Sequence, residues 1–138
     1  HLSLRRQRQM CIRDRVHLGT CMIAMGKAEQ AEAPLNKAIG TDPDLAEAWY
    51  QRALLYLDFG KIDEAKSDFI EAARADPQHI DAKLRIAAIL HESGDPEKAT
   101  MAWREVLDID PQHRLARRRI AECQEQTSVR AKQLLPKD

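Results

Sequence analysis

The sequence predicts an all-α fold of repeated helical hairpins. Its 138 residues include only 5 Gly, 2 Phe and 2 Trp, and 32% of them are charged, a balance that favours helix over sheet. A period of 34 residues is the stronger signal, since that length is typical of a stacking helix-turn-helix unit. Three series keep this interval: Pro43, Pro77 and Pro111; Gly26, Gly60 and Gly94; and Ala31, Ala65 and Ala99.

The first helix of the second unit is predicted over residues 46–58. Trp49, Ala53 and Tyr56 recur at helical spacing and therefore share one face. Gly60 is expected to end this helix, because glycine takes the left-handed backbone conformation found at many helix C-termini.

The second helix of the same unit is predicted over residues 62–75. Ala65, Phe69 and Ala72 form its apolar stripe, which is expected to face the first helix. Pro77 stops the helix, because proline lacks the backbone donor that a continued helix needs. One such hairpin cannot bury its apolar faces alone, so neighbouring units must stack.

The flanking units follow the same register. Pro34 lies inside the second helix of the first unit, where we expect a kink or a late helix start. Leu115, Ile120 and Cys123 give the last helix one apolar stripe, as a terminal cap requires. The predicted units span about residues 12–45, 46–79 and 80–113, with the capping helix from residue 114.

With these positions identified, the unit resembles the tetratricopeptide repeat, whose pattern is W-x2-L-G-x2-Y, then A-x3-F, then A and P. The resemblance covers residues 16–126, and it departs at Arg52, where the family prefers Leu, and at Lys83, where it prefers Trp. It implies an α-solenoid of about three hairpins plus a capping helix. The second unit matches at Trp49, Ala53, Tyr56, Gly60, Ala65, Phe69, Ala72 and Pro77.

Residues 1–15 are interpreted as a non-native leader. They hold five Arg against one Asp and show no helical apolar period. Their MCIRDR segment is what one reading frame of a DNA end used in transposon-based sequencing libraries encodes. We therefore expect an assembly artefact of irregular structure, followed by the solenoid over residues 16–131 and a tail over 132–138. The native N-terminus would then be missing, and the chain would be part of a larger repeat protein.

No arrangement of reactive side chains predicts an enzyme. The three cysteines are scattered without a CxxC pair, which argues against a disulfide framework or a zinc knuckle, and Cys21 and Cys123 are expected to pack between helices. His79 and His113 share one repeat position after the prolines, and His91 lacks the second His of a zinc-binding helix. We expect no catalytic residues, no cofactor, no metal and no membrane span.

The resemblance implies that ligands bind in a concave groove of first helices, so the candidate surface consists of first-helix residues off the hairpin core. Apolar side chains rimmed by charge suit a peptide groove. For Tyr50, Leu54, Leu57 and Leu84 the alternative is packing of one first helix on the next. The predicted groove residues are Tyr50, Gln51, Leu54, Leu57, Asp58, Leu84, Arg85, Ala88, His91, Arg118 and Arg119, with His17, Thr20 and Ala24 in the first unit.

The predicted partner is a protein or peptide, with an acidic one favoured. Arg85, Arg118 and Arg119 would form a positive strip, and guanidinium groups pair well with carboxylates. The family's chaperone-tail clamp uses Lys, Asn and Arg, and of its positions here only Arg85 fits. The matching positions hold Val16, Thr20, Gln51, Asp81 and Arg85.

Two function classes follow. The favoured one is a scaffold or adaptor that binds a peptide or partner helix in the groove. The alternative is a nucleic-acid-associated module that uses the basic C-terminal helix, with Arg114, Arg117, Arg118 and Arg119. Residues 16–113 carry 10 basic against 18 acidic side chains, which should repel phosphate, so we do not expect nucleic acid to be the partner.

The leader hypothesis predicts a break in the genomic sequence. Resequencing the locus across the codons for Arg15 and Val16 should show a different natural sequence upstream of this junction. An uninterrupted natural reading frame through both codons would contradict the hypothesis.

Overall fold

A computed structural model describes residues 2–136, which form seven α-helices and no strand. They make three hairpins and a terminal helix, which confirms the predicted all-α repeat. Two compact units result, and below they are called the first unit and the second unit, while each 34-residue repeat is called a hairpin. The first unit runs up to His79 and holds four helices, and the second runs from Ile80 and holds three. The helices are α1 (Leu2–Ala24), α2 (Ala28–Thr41), α3 (Ala46–Asp58), α4 (Ile62–Ala75), α5 (Ile80–Glu92), α6 (Pro96–Ile109) and α7 (Arg114–Gln133).

The turn inside each hairpin depends on a glycine. Gly26, Gly60 and Gly94 have φ of 73°, 73° and 78°, the left-handed region that a side chain disfavours. The bounds of α3 and α4 agree with the helices predicted over residues 46–58 and 62–75. The 34-residue glycine series therefore marks the places where one helix of a hairpin ends and the next begins.

The Asp-Pro series marks the turns that follow the second helices. Asp42, Asp76 and Asp110 each accept a hydrogen bond on their carboxylate from the backbone N–H two residues later, at 3.0–3.1 Å. This side-chain turn competes with continued helix and fixes the chain reversal beside each proline.

The first unit has a core that only partly follows the predicted stripe. Ala53 and Phe69 are fully buried, as expected. Trp49 and Tyr56 are only half-buried, because their polar atoms bond to groups near the protein surface. The Trp49 indole N–H donates to the carbonyl of Pro43 at 2.7 Å. The fully buried large residue of α3 is Leu55, which packs with the α1 and α2 core.

A charged pair occupies a position that is apolar in the other repeats. Arg52 of α3 donates two hydrogen bonds to the Asp68 carboxylate of α4, at 2.7 and 2.9 Å, and a third to the Asn36 side chain at 2.9 Å. Its guanidinium lies 5.1 Å from the Trp49 ring centre and 5.5 Å from that of Tyr56. The Arg52 and Asp68 side chains are only 18% and 6% exposed.

The hydrogen bonds to Asp68 raise the pKa of the Arg52 guanidinium above its ordinary value. Burial, together with the hydrogen bond that the hydroxyl donates to Glu32 at 3.0 Å, raises the pKa of the Tyr56 phenol. Arg52 is therefore charged and Tyr56 neutral at physiological pH. The pair, Asn36 and Glu32 tie α2, α3 and α4 together through polar side chains, of which Asp68 is buried.

The second unit is built around Trp103 and Val106 of α6. Trp103 is 2% exposed and Val106 is fully buried, and Cys123 of α7 is buried with them, as predicted. Leu115 was expected on the buried stripe of α7, but it is 38% exposed. The same repeat position in α3 holds Glu47, which is also exposed. Exposure is therefore a property of this position in the repeat, whichever residue occupies it.

The prediction that Cys21 packs between helices is also wrong, since it is exposed. Its counterpart one repeat later is Leu55, which is buried because the first hairpin covers it. Among the described residues no hairpin precedes α1, and the surface around Cys21 therefore stays open.

The segment predicted to be an irregular leader is helical, since α1 begins at Leu2. It lacks Gly and Pro, and helix therefore continues upstream from the packed part of α1. Residues 3–11 are exposed, and packing begins at Ile12 and Val16, which are 4% and 7% exposed. Its non-native origin stays a prediction.

Pro34 does not delay the start of α2, the second helix of the first hairpin. α2 begins at Ala28, in register with α4 and α6, and continues past Pro34 to Thr41. None of the helices over residues 2–136 is long and apolar enough to cross a membrane.

The Arg52–Asp68 pair can be tested by giving it the apolar identity of the next repeat, Ile86 and Ala102. We expect Asp68→Ala alone to lower the free energy of unfolding by about 2–4 kcal/mol, because it leaves a largely buried guanidinium without its counter-ion. The double variant Arg52→Ile/Asp68→Ala should recover most of that loss. Urea unfolding followed by circular dichroism measures both.

The matched control is Arg74→Ala, which breaks an exposed ion pair with Glu71 and should leave stability unchanged. A double variant as unstable as Asp68→Ala would show that this position needs charge for a reason other than mutual neutralisation.

Candidate functional site

The first unit contains an open cavity of about 490 Å³ between its two first helices, α1 and α3. We call it the first-unit cavity. It lies where the repeat register placed a ligand-facing surface, and it contains three of the residues expected there. Its lining is Arg13, Val16, His17, Thr20, Leu45, Glu47 and Gln51.

The cavity has an apolar floor and a polar rim. Val16 is buried and Leu45 half-buried, while the Glu47 side chain is 50% exposed. Glu47 accepts a hydrogen bond from the Gln51 amide at 2.6 Å, one helical turn along α3. The Thr20 hydroxyl donates to the Val16 carbonyl at 2.9 Å. These two contacts hold the rim in place without a ligand.

Other predicted groove residues of this unit have different surroundings. The Tyr50 ring packs inside its own hairpin, 5.5 Å from the Phe69 ring centre and 4.9 Å from that of His79. Leu54 and Leu57 are half-buried, and Asp58 is exposed at the end of α3. Of the α3 residues predicted for the groove, Gln51 alone lines the first-unit cavity.

The second unit holds a larger open cavity, of about 770 Å³, which we call the second-unit cavity. α3 and α5 each have 13 residues, whereas α7 has 20 and continues past the point where the repeat would turn. Its extra turns form one wall of the cavity. The lining is His91, Gly94, Pro96, Arg119, Glu122, Glu125, Gln126, Val129, Arg130 and Gln133.

His91 is held between Arg119 and Cys123. Its Nε2 lies 3.4 Å from a guanidinium nitrogen of Arg119, and its Nδ1 lies 3.3 Å from the Cys123 sulfur. Because a guanidinium can only donate, a hydrogen bond from Arg119 requires Nε2 of His91 to be the acceptor. Because Cys123 is fully buried, the pair packs α5 against α7 and offers no accessible nucleophile.

The predicted arginine strip is partly neutralised in the second unit. Arg118 and Arg119 both reach the Glu122 carboxylate, at 3.5 and 2.9 Å. Arg85 is exposed and has no ion-pair partner within residues 2–136, and Leu84 and Ala88 beside it are half-buried. The same part of the chain contains no group of three His, Cys, Asp or Glu side chains that could hold a metal ion.

Sequence reasoning missed several residues that shape the first unit, including Leu45 on the cavity floor, Glu47 and Asp68. Glu47 was overlooked because it precedes the Trp49 stripe, although its spacing of four residues from Gln51 places both on one face. Asp68 was overlooked because an acidic residue on the inner side of α4 breaks the apolar pattern. Arg52, which departs from the family pattern, was the available signal for the pair, because a charged residue at an apolar position needs a partner of opposite charge nearby.

Solved structures share this fold. The first TPR of Spaghetti (RPAP3), bound to the HSP90 peptide SRMEEVD, matches with a TM-score of 0.73 at 20% identity, over 86% of this chain and 97% of that one. The second TPR domain of human RPAP3, in complex with the HSP70 peptide SGPTIEEVD, gives 0.69 at 24% identity, over 86% and 97%. MamA gives 0.75 at 21% identity, over 87% and 70%.

Comparison of sequences adds a second line of evidence. Curated protein sequences gave no match. Two overlapping stretches, residues 23–79 and 50–113, match the sequence model of the tetratricopeptide repeat. They cover more than half of the chain and contain the glycine and proline series that set its turns. The chain belongs to the tetratricopeptide repeat family.

Proposed function

We propose that this chain is a protein-binding scaffold or adaptor module that holds a peptide or a partner helix against its first-helix faces. The first-unit cavity carries the proposal. It joins an apolar floor at Val16 and Leu45 to an exposed polar rim at Glu47 and Gln51, and such a combination anchors one side chain while fixing its orientation.

Similarity supports the proposal. Both RPAP3 domains were solved with a short peptide, and they match this chain over 86% of its length. The His91–Cys123 contact packs α5 against α7, with the Cys123 thiol fully buried, and so gives no support to a catalytic role for this pair. Glu122 pairs with Arg118 and Arg119, which weakens the nucleic-acid alternative, although Arg114 and Arg117 of the same helix have no ion-pair partner within residues 2–136.

The binding surface is testable with a random library of 12-residue peptides displayed on phage. We expect the full chain to enrich a family of related peptides. Thr20→Trp should weaken their binding, because the indole occupies part of the first-unit cavity. Leu54→Asp and Arg85→Glu test the rest of the predicted groove, and each should weaken binding if the peptide extends along it.

Ser67→Trp, which adds the same bulk on an exposed position of α4, is the matched control and should bind normally. Circular dichroism shows whether each variant folds. The proposal is overturned if enriched peptides bind the folded Thr20→Trp, Leu54→Asp and Arg85→Glu variants as well as they bind the unaltered chain.

The chaperone-tail clamp gives a separate prediction. Four of the five clamp positions hold Val16, Thr20, Gln51 and Asp81, none of which can supply a positive charge to a terminal carboxylate. We therefore expect the peptide SRMEEVD to show no saturable binding at concentrations up to about 1 mM, a weak limit that corresponds to roughly 4 kcal/mol. Isothermal titration calorimetry measures this, and micromolar affinity would contradict it.

A further inference from the structure

We infer that the first-unit cavity accepts a lysine or arginine side chain of the bound peptide. The inference rests on the proposed function, since it names the chemistry of the ligand at the same site. It also gives that site the opposite polarity to a carboxylate-binding clamp.

The fixed charge that α3 contributes to the cavity is negative. Glu47 presents a carboxylate that is half-exposed, and a carboxylate only accepts hydrogen bonds. The Thr20 hydroxyl has committed its single proton to the Val16 carbonyl and can only accept from a ligand. Gln51 has committed one of its amide protons to Glu47, and it keeps its carbonyl oxygen as an acceptor and its second amide proton as a donor. The rim therefore favours a ligand rich in donors.

The shape of the cavity agrees with a long cationic side chain. Val16 and Leu45 provide an apolar floor, along which the methylene stem of lysine or arginine can lie while its charged end stays near water. The exposed half of Glu47 places a partner for that charged end at the rim. A purely aliphatic side chain would leave Glu47 without this contact.

The charges around the cavity are mixed, with acidic side chains in excess. Residues 16–79 carry 6 basic and 11 acidic side chains. His79 approaches Glu47, with its Nε2 3.7 Å from the carboxylate. Arg13 is the opposing group on the lining, and it is exposed. It lies in the segment predicted to be non-native, and its charge should weaken binding of a cationic side chain.

Labelled nonapeptide pools test the inference by fluorescence anisotropy with the full chain. The central residue is fixed as Lys, norleucine or Glu, and the other positions are mixed. Norleucine keeps the apolar stem of lysine and removes its charge. We expect the Lys pool to bind about two- to fivefold more tightly than the norleucine pool, the range for a partly exposed ion pair, and the Glu pool to bind most weakly.

Glu47→Gln should remove the preference for the Lys pool. Asp81→Asn is the matched control, because Asp81 is exposed, holds the same repeat position on α5 and changes the net charge equally. It should keep the preference. Arg13→Gln should strengthen binding of the Lys pool.

Four results would overturn the inference. A Glu pool that binds best would point to an acidic peptide and the arginines of the second unit. Equal effects of Glu47→Gln and Asp81→Asn would show a response to net charge alone. Binding of every pool without regard to the central residue, weakened by Thr20→Trp, would keep the proposed function and reject the cationic ligand. Failure of all pools to bind would contradict both.

Discussion

The structure depends on one constraint, that a hairpin of about 34 residues has more apolar surface than its two helices can cover. Leu55 shows the constraint satisfied, since it is fully buried among residues of the first hairpin. Cys21, the same position one repeat earlier, is exposed where no preceding hairpin is described. Burial in this chain is therefore a property of a repeat and its neighbour together, and identical positions differ in exposure according to what covers them.

Charged side chains are buried in this fold only where hydrogen-bond partners of suitable charge are present. Arg52 and Asp68 replace a pair that is Ile86 and Ala102 in the following repeat, and they are tolerated because the guanidinium is bonded to Asp68 and Asn36. The two rings that flank Arg52 shield the contact from water and strengthen it. The hairpin thus gains orientation-specific contacts between three helices while its alanine-rich core stays apolar.

A regular scaffold leaves its variation to the first helices, and the two units differ there. In the first unit Glu47 and Gln51 border an apolar hollow, which suits an anchored side chain. In the second unit a longer α7 builds a wider and more highly charged cavity, in which Arg119 is engaged by His91 and Glu122. Similar backbones thereby present surfaces of different chemistry, and function follows the side chains more than the fold.

The sequence by itself determined the helices of the second and third hairpins, the turns and the family, because these depend on neighbours along the chain: periodic apolar residues, glycines such as Gly60 at left-handed positions, and aspartates beside prolines. It also identified part of the candidate surface, including Gln51. Only the tertiary structure decided that Leu55 and not Tyr56 fills the core, and that Glu47 borders a cavity. Those outcomes depend on which residues of other helices come within contact distance. The 34-residue period does not contain this information, because it describes each helix without its neighbours.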